Sequence, residues 1–246
     1  MLQRLKEEKM RKVLMGATAL GVLLAFGCAS TNQGRREEAQ AKALASDASE
    51  AQAIVERAKA TFNDFMADPN FPWLREHLKN AKGVLIFPLV LKAGFLLGGS
   101  GGNGVLSVRD EKSGDWSQPC FYTVSSVTFG LQIGAEAVEI IMMVMSPKAI
   151  EALYTSSFQL GGGLTAAAGF QGGGVKSDIT ADFISFVRAK GVFIGMDVEG
   201  SAISVRGSLN KGYYGKDVAP IDIVVHKKAS NKDSADLLAA MKKAAK

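Results

Sequence analysis

Twenty-three of the chain's 27 glycines lie between Gly83 and Gly215, mixed with Val, Ile, Leu, Phe and Ser. Average glycine usage is roughly 7%, and this stretch holds more than twice that. Long helices are excluded here, because each interior glycine costs ~1 kcal/mol relative to alanine. Collagen is excluded by the lack of a Gly-x-y period. What remains is strand that bends sharply or presses backbone against backbone. Gly134 and Gly195 lie inside such strand-like runs.

The N-terminus reads as an address. Met10-Arg11-Lys12 is a short basic start, Val13 to Phe26 is an uncharged apolar run, and Ala25-Phe26-Gly27-Cys28 follows. These are the parts of a secretory signal, and the cysteine at the cleavage point resembles a bacterial lipobox. An uncleaved anchor and a plain signal peptide are the alternatives. The run falls short of the ~20 residues that span a bilayer. On the lipobox reading Cys28 carries lipid and the mature protein is anchored in the cell envelope, facing the periplasm. Ala29, in place of Asp, points to the outer membrane. Removing residues 1–27 takes away five Lys/Arg and two Asp/Glu, leaving 24 and 22. That near balance argues against a nucleic-acid partner. Cys120 then remains as a thiol in an apolar context and reads as a small buried hydrophobe.

The expected organisation is a signal over 1–27, a tether over 28–45, a domain over 46–226 and a basic tail or helix over 227–246. Ala51, Ile54, Val55, Ala58, Phe62, Phe65 and Met66 keep the spacing of one helix face. Ser49 and Gln52 read as a capping box, and Asp68-Pro69 as the stop. Strands are expected at Lys82–Pro88, Lys92–Gly99, Gly104–Arg109, Phe121–Gln132, Val138–Met145, Ile179–Val187, Val192–Val198 and Ala202–Arg206. A final apolar run covers Ile221–Val225. Ser146-Pro147 predicts a helix N-terminus. The fold class is α+β: a compact, glycine-rich, mainly antiparallel sheet or barrel-like core, with an N-terminal amphipathic helix and short flanking helices.

No catalytic set is visible. Gly99-Ser100-Gly101-Gly102-Asn103-Gly104 spells G-x-G-x-x-G, but strand follows it where a dinucleotide fold needs helix. It reads as a glycine-rich turn between strands. His77 and His226 stand far apart without neighbouring ligands. Glu136 and Glu139 read either as paired carboxylates or, more simply, as solvent-facing or salt-bridged side chains. The chain is expected to be a non-enzymatic binder with no cofactor and no metal. Lys82, Lys92, Arg188 and Lys190 each precede a glycine-containing strand start. Gathered at one end of a sheet they would bind lipid phosphates; scattered, they are solvated charge. The 47–66 helix is the competing contact, entering a membrane through Ile54, Phe62 and Phe65. Its polar face is net acidic, which favours packing on the sheet instead.

Six segments in order carry a resemblance: AKGVLIFP, KAGF, GGSGGNGVL, the W-S-x-P of Trp116–Pro119, FGLQIGAE (Phe129–Glu136) and AKGVFIGMDVEGS (Ala189–Ser201). Together they resemble the SYLF domain, a lipid-binding family also described as actin-binding in yeast, over about Asn80 to Tyr214. With the lipobox, the chain looks like a bacterial SYLF lipoprotein. The resemblance implies a compact β-rich α+β domain, no catalysis and binding to anionic phospholipid, with an envelope protein as the alternative partner. Actin is not expected for an envelope protein. The chain departs from relatives at Gly169–Gly174, where a G-P-x-G-R turn is frequent.

Overall fold

In the computed structural model, backbone is described for residues 2–95, 97–129, 134–161, 163–169, 181–189, 192–193 and 200–246, and side chains for these except 2–34, 94–98, 127–135 and 192–193. The chain divides into two units, Met1–Ala45 and Ser46–Lys246. Helix α1 (Leu2–Ala67) runs through the first and into the second. Residues expected to form a tether over 28–45 are therefore helical, and Ser49 caps nothing, since the helix is already formed before it. Gln52 instead donates to Glu56 at 2.9 Å, one turn on.

Within the second unit, α2 (Pro72–His77) precedes β1 (Gly83–Phe95), β2 (Leu97–Val108), β3 (Cys120–Phe129) and β4 (Gly134–Val144). Then come α3 (Pro147–Leu153), β5 (Ser157–Gln159), β6 (Ala166–Ala168), β7 (Phe183–Ala189), β8 (Val192–Phe193) and β9 (Ala202–Val205). Helices α4 (Gly207–Tyr214), α5 (Pro220–Val224) and α6 (Ala235–Ala244) follow, with short 3-10 turns at Leu78–Asn80 and Lys232–Ser234. The strands form one sheet in the order β5-β9-β3-β2-β1-β4-β7-β6, with β8 paired to β7. Every pairing is antiparallel except β6 with β7. This is the α+β class expected from the sequence. The Ile221–Val225 run is not a further strand but mostly helix α5, and β5, β6 and α4 were not expected.

The central strands read as continuous apolar runs because both faces are covered. Val84 and Ile86 of β1, Ile141 and Met143 of β4, and Ile184 and Phe186 of β7 face one core with the helices α1, α2, α4 and α6. Leu85, Phe87, Ile140, Met142, Phe183 and Val187 face a second core closed by α3, α5 and the segments around Leu160 and Leu164. Of the tail and helix alternatives for 227–246, the helix is present as α6, and Leu237 and Met241 put it inside the first core.

The expected boundaries shift: β1 takes in Lys82–Pro88 from Gly83 on and the first half of Lys92–Gly99, whose second half, Leu97–Gly99, belongs to β2. Lys82–Pro88 and Lys92–Gly99 were separated at Pro88, yet β1 runs through it. Its register slips between Phe87 and Val90 against β4, and between Ile86 and Leu91 against β2. A bulge is where a strand tolerates proline, which has no N–H for the ladder. The G-x-G-x-x-G run is likewise not a turn: Gly99–Gly104 lies inside β2. A Cβ on Gly102 would sit 2.2 Å from the Leu89 carbonyl oxygen, and one on Gly104 2.3 Å from that of Ile86. The glycines let β2 press against the bulged stretch of β1.

Candidate functional site

The three basic residues that are described, Lys82, Lys92 and Arg188, are not brought together. Lys82 stands at the head of β1, where its N–H donates to the Val144 carbonyl at 2.8 Å and its side chain pairs with Glu111. Lys92 is ten residues further along the same strand, about 33 Å at ~3.3 Å per residue. It lies opposite Ser100 of β2 and Glu136 of β4. Arg188, on β7, is opposite Glu139. Lys190 lies outside the described residues, as does Gly195; the side chain of Cys28 does too. Gly134 opens β4 opposite Gly94.

Lys92 and Arg188 share one half of the sheet but not one face. Glu136, opposite Lys92, is two residues from Val138 of the second core, whereas Glu139 is on the helix-covered face. Successive strand residues alternate sides, so the glutamates at spacing three point apart and are not a carboxylate pair.

Arg188 is engaged by the helix. Its Nε and Nη2 donate to Glu139 Oε2 at 2.9 and 2.6 Å. Nη2 also reaches Asp64 of α1 at 3.4 Å, and the guanidinium lies 4.9 Å from the centre of the Phe65 ring. The other Glu139 oxygen accepts from Thr61 of α1 at 2.7 Å. The side chain of Arg188 is only 12% exposed. This is a clamp between α1 and the sheet.

Ile54, Phe62 and Phe65, the competing contact residues, are buried in the first core. Phe65 stacks on Phe71 at 4.8 Å, and Phe71 meets Phe186 of β7 edge-on at 5.9 Å. In this conformation none of the three is available to a bilayer.

The end of the sheet reached by the later half of β1 has different properties. Leu91 is 58% exposed and Leu89 40%, an apolar pair immediately before Lys92. Partial burial lowers the pKa of Lys92, against the pull of Glu136. Next to Lys92 across the sheet, the Ser100 and Ser126 hydroxyls are bonded at 2.7 Å. Register then sets Phe95 opposite Leu97, Leu97 opposite Phe129, and Gly94 opposite Gly98 and Gly134. The ends of β1 and β3, and the starts of β2 and β4, converge here. The sequence reading passed over Leu89 and Leu91. They flank Val90 just after the bulge at Pro88, and Leu91 is already back in register with Gly101 and Ala137.

Among the described residues no three His, Cys, Asp or Glu cluster to hold a metal. Complete burial pushes the Cys120 thiol far up, the reverse of what a nucleophilic cysteine needs. Desolvation does the same to the phenol of Tyr122, which donates to the Leu153 carbonyl.

Residues 125–244 match the family described as Ysc84, a Las17-binding protein actin regulator. Over these residues the chain is similar to the Ysc84, or SYLF, family. It is 34% identical over 145 residues to protein YSC84 of Saccharomyces cerevisiae, covering 56% of this chain and 31% of that one. It is 30% identical over 152 residues to the human SH3 domain-containing YSC84-like protein 1, covering 60% and 44%. An SH3 domain-containing protein of Schizosaccharomyces pombe is 35% identical over 148 residues, covering 57% and 34%. The match thus spans less than half the length of these relatives. The Ysc84 region takes in β4, β7, the Glu139–Arg188 clamp and α6.

Proposed function

We propose that the chain is a non-catalytic membrane-binding module, held in the envelope by lipid on Cys28 and touching anionic phospholipid with the Lys92 end of its sheet. The observation that carries this is a shared sheet end: Leu89 and Leu91 are exposed on one side of β1 and Lys92 follows on the other side at the same end. Aliphatic side chains gain by entering the acyl region, and a cation near an anionic surface contributes about 1 kcal/mol. Arg188 is a positioning residue, holding α1 on the sheet. The anchor rests on Ala25-Phe26-Gly27-Cys28 and sets the location, the periplasmic side of the outer membrane.

A protein partner is the second reading. It is favoured by the family's description as Las17-binding; an envelope location puts actin itself out of reach. Vesicle sedimentation of the chain without residues 1–27 and carrying Cys28→Ala, so that neither signal nor acyl chain contributes, separates the two. The proposal expects binding to vesicles containing phosphatidylglycerol, weakened by salt and by Leu91→Glu and Lys92→Glu, and little binding to phosphatidylcholine alone. No binding to the anionic vesicles, or wild-type binding by both variants, overturns it in favour of a protein contact.

A further inference from the structure

A groove of about 470 Å³ opens between the last turns of α1, the helix α2 and the end of α6. Its apolar lining is Phe62 and Met66 from α1 and Ala240 and Ala244 from α6. Phe62 is fully buried, and the other three pack partly buried against the first core. The remaining space over them exists because alanine occupies both α6 positions. Two cations, Arg75 and Lys243, line the same groove, and no Asp or Glu does.

Arg75 is held in place from below. Its Nη1 donates to the Met66 carbonyl at 3.5 Å and to that of Asp68, closing the end of α1. The guanidinium is therefore oriented by the backbone, with its other N–H groups left to meet an anion. Lys243 is in the last turn of α6 and exposed.

We propose that this groove binds a single-chain anionic amphiphile, a long-chain carboxylate, with the chain over Phe62, Met66, Ala240 and Ala244 and the carboxylate between Arg75 and Lys243. Size favours this occupant over a docked helix. One turn of helix, ~10 Å wide and 5.4 Å long, fills roughly this volume alone, and helix-in-groove recognition needs anchors two turns apart. By contrast, the volume equals roughly sixteen water-sized groups at ~30 Å³ each, the scale of an acyl chain. It also falls in the usual range of small-ligand sites. The charge pattern selects the head group: two cations and no carboxylate admit an anion and reject a cation. This site is on the helix side of the globule and is independent of the sheet-end membrane contact.

The test is calorimetric titration of the full, unacylated chain with dodecanoate below its micellar concentration, with dodecyltrimethylammonium as the opposite-charge control. Dodecanoate is expected to saturate one site and the cation to give none. Loss of a charge-assisted bond in Lys243→Gln should weaken dodecanoate binding about tenfold, and Ala240→Trp, which fills the groove, should abolish it. Vesicle binding should be unchanged in both variants, so that failure here is distinguishable from failure of the membrane contact. Absence of dodecanoate binding overturns the proposal, as does equal binding of the cation or undiminished binding by Ala240→Trp with an unchanged melt. If Ala240→Trp does not fold, Lys243→Gln decides: wild-type affinity in that variant overturns the site.

Discussion

Arg188 of β7 donates twice to Glu139 of β4, at 2.6 and 2.9 Å, and the second carboxylate oxygen of Glu139 is taken by Thr61 of α1. The pair thus fastens a helix to a sheet. Removing Glu139 leaves a mostly buried guanidinium with the longer contact to Asp64 and the face of Phe65. Glu139→Ala is therefore expected to destabilise the domain by about 1–3 kcal/mol, the cost of a stranded polar group. Replacing both partners, Glu139→Leu with Arg188→Met, should recover part of that loss. Denaturant melts of the two singles and the double measure it; strictly additive losses would dismiss the clamp.

The glycines of β2 are not equivalent. A Cβ at Gly104 would meet the Ile86 oxygen at 2.3 Å and Phe87 Cδ1 at 2.5 Å, whereas at Gly99 the nearest described atom is 3.6 Å away. Gly104→Ala should cost about 1–3 kcal/mol, the overpacking range, and Gly99→Ala well under 1. Equal melting temperatures for the two variants would remove the close-approach argument.

Asp182 joins the start of β7 to its neighbours. Its pKa is lowered, first by the Ser146 hydroxyl that donates to it and then by the backbone and hydroxyl of Thr165, at 2.9 and 3.1 Å. A carboxyl whose folded pKa lies below its unfolded value, about 3.9, stabilises the fold above that value. The contribution fades as pH falls through the folded pKa. Asp182→Asn should therefore be less stable than wild type near pH 7, with the gap closing below about pH 4. Melts from pH 7 to pH 2.5 test the sign; a gap that widens on acidification contradicts it.

Cys120 is fully buried, its Sγ 4.0 Å from the Pro220 carbonyl oxygen. In the Cys28→Ala chain, where it is the single thiol, Ellman's reagent should find none in native buffer and one in guanidinium. Fast reaction in the native state would mean that the second core opens readily.

For the anchor, Cys28→Ala should leave an unprocessed precursor. A variant cleaved and membrane-held like wild type, judged by gel mobility and fractionation, would sink the acylation reading.

Local chemistry was legible in the residues themselves. The glycine-rich middle excluded long helix. The helical face from Ala51 to Met66 predicted which side chains α1 buries, and the Ser146 hydroxyl does accept from the Ala149 N–H at 3.1 Å as an N-cap. Each of these depends on neighbours within a few positions. What only the tertiary structure decided depends on partners far apart in the chain. Continuation of β1 through Pro88 needed flanking strands able to absorb a bulge. Whether Lys82, Lys92 and Arg188 would meet depended on strand order and register, and the register separates them. Arg188 was read as a free cation because nothing local reveals Glu139, 49 residues earlier in sequence, or Asp64, 124 residues earlier. A strand's composition states which side chains want burial; the pairing of strands decides which faces are covered and which, like Leu89 and Leu91, are left at the surface.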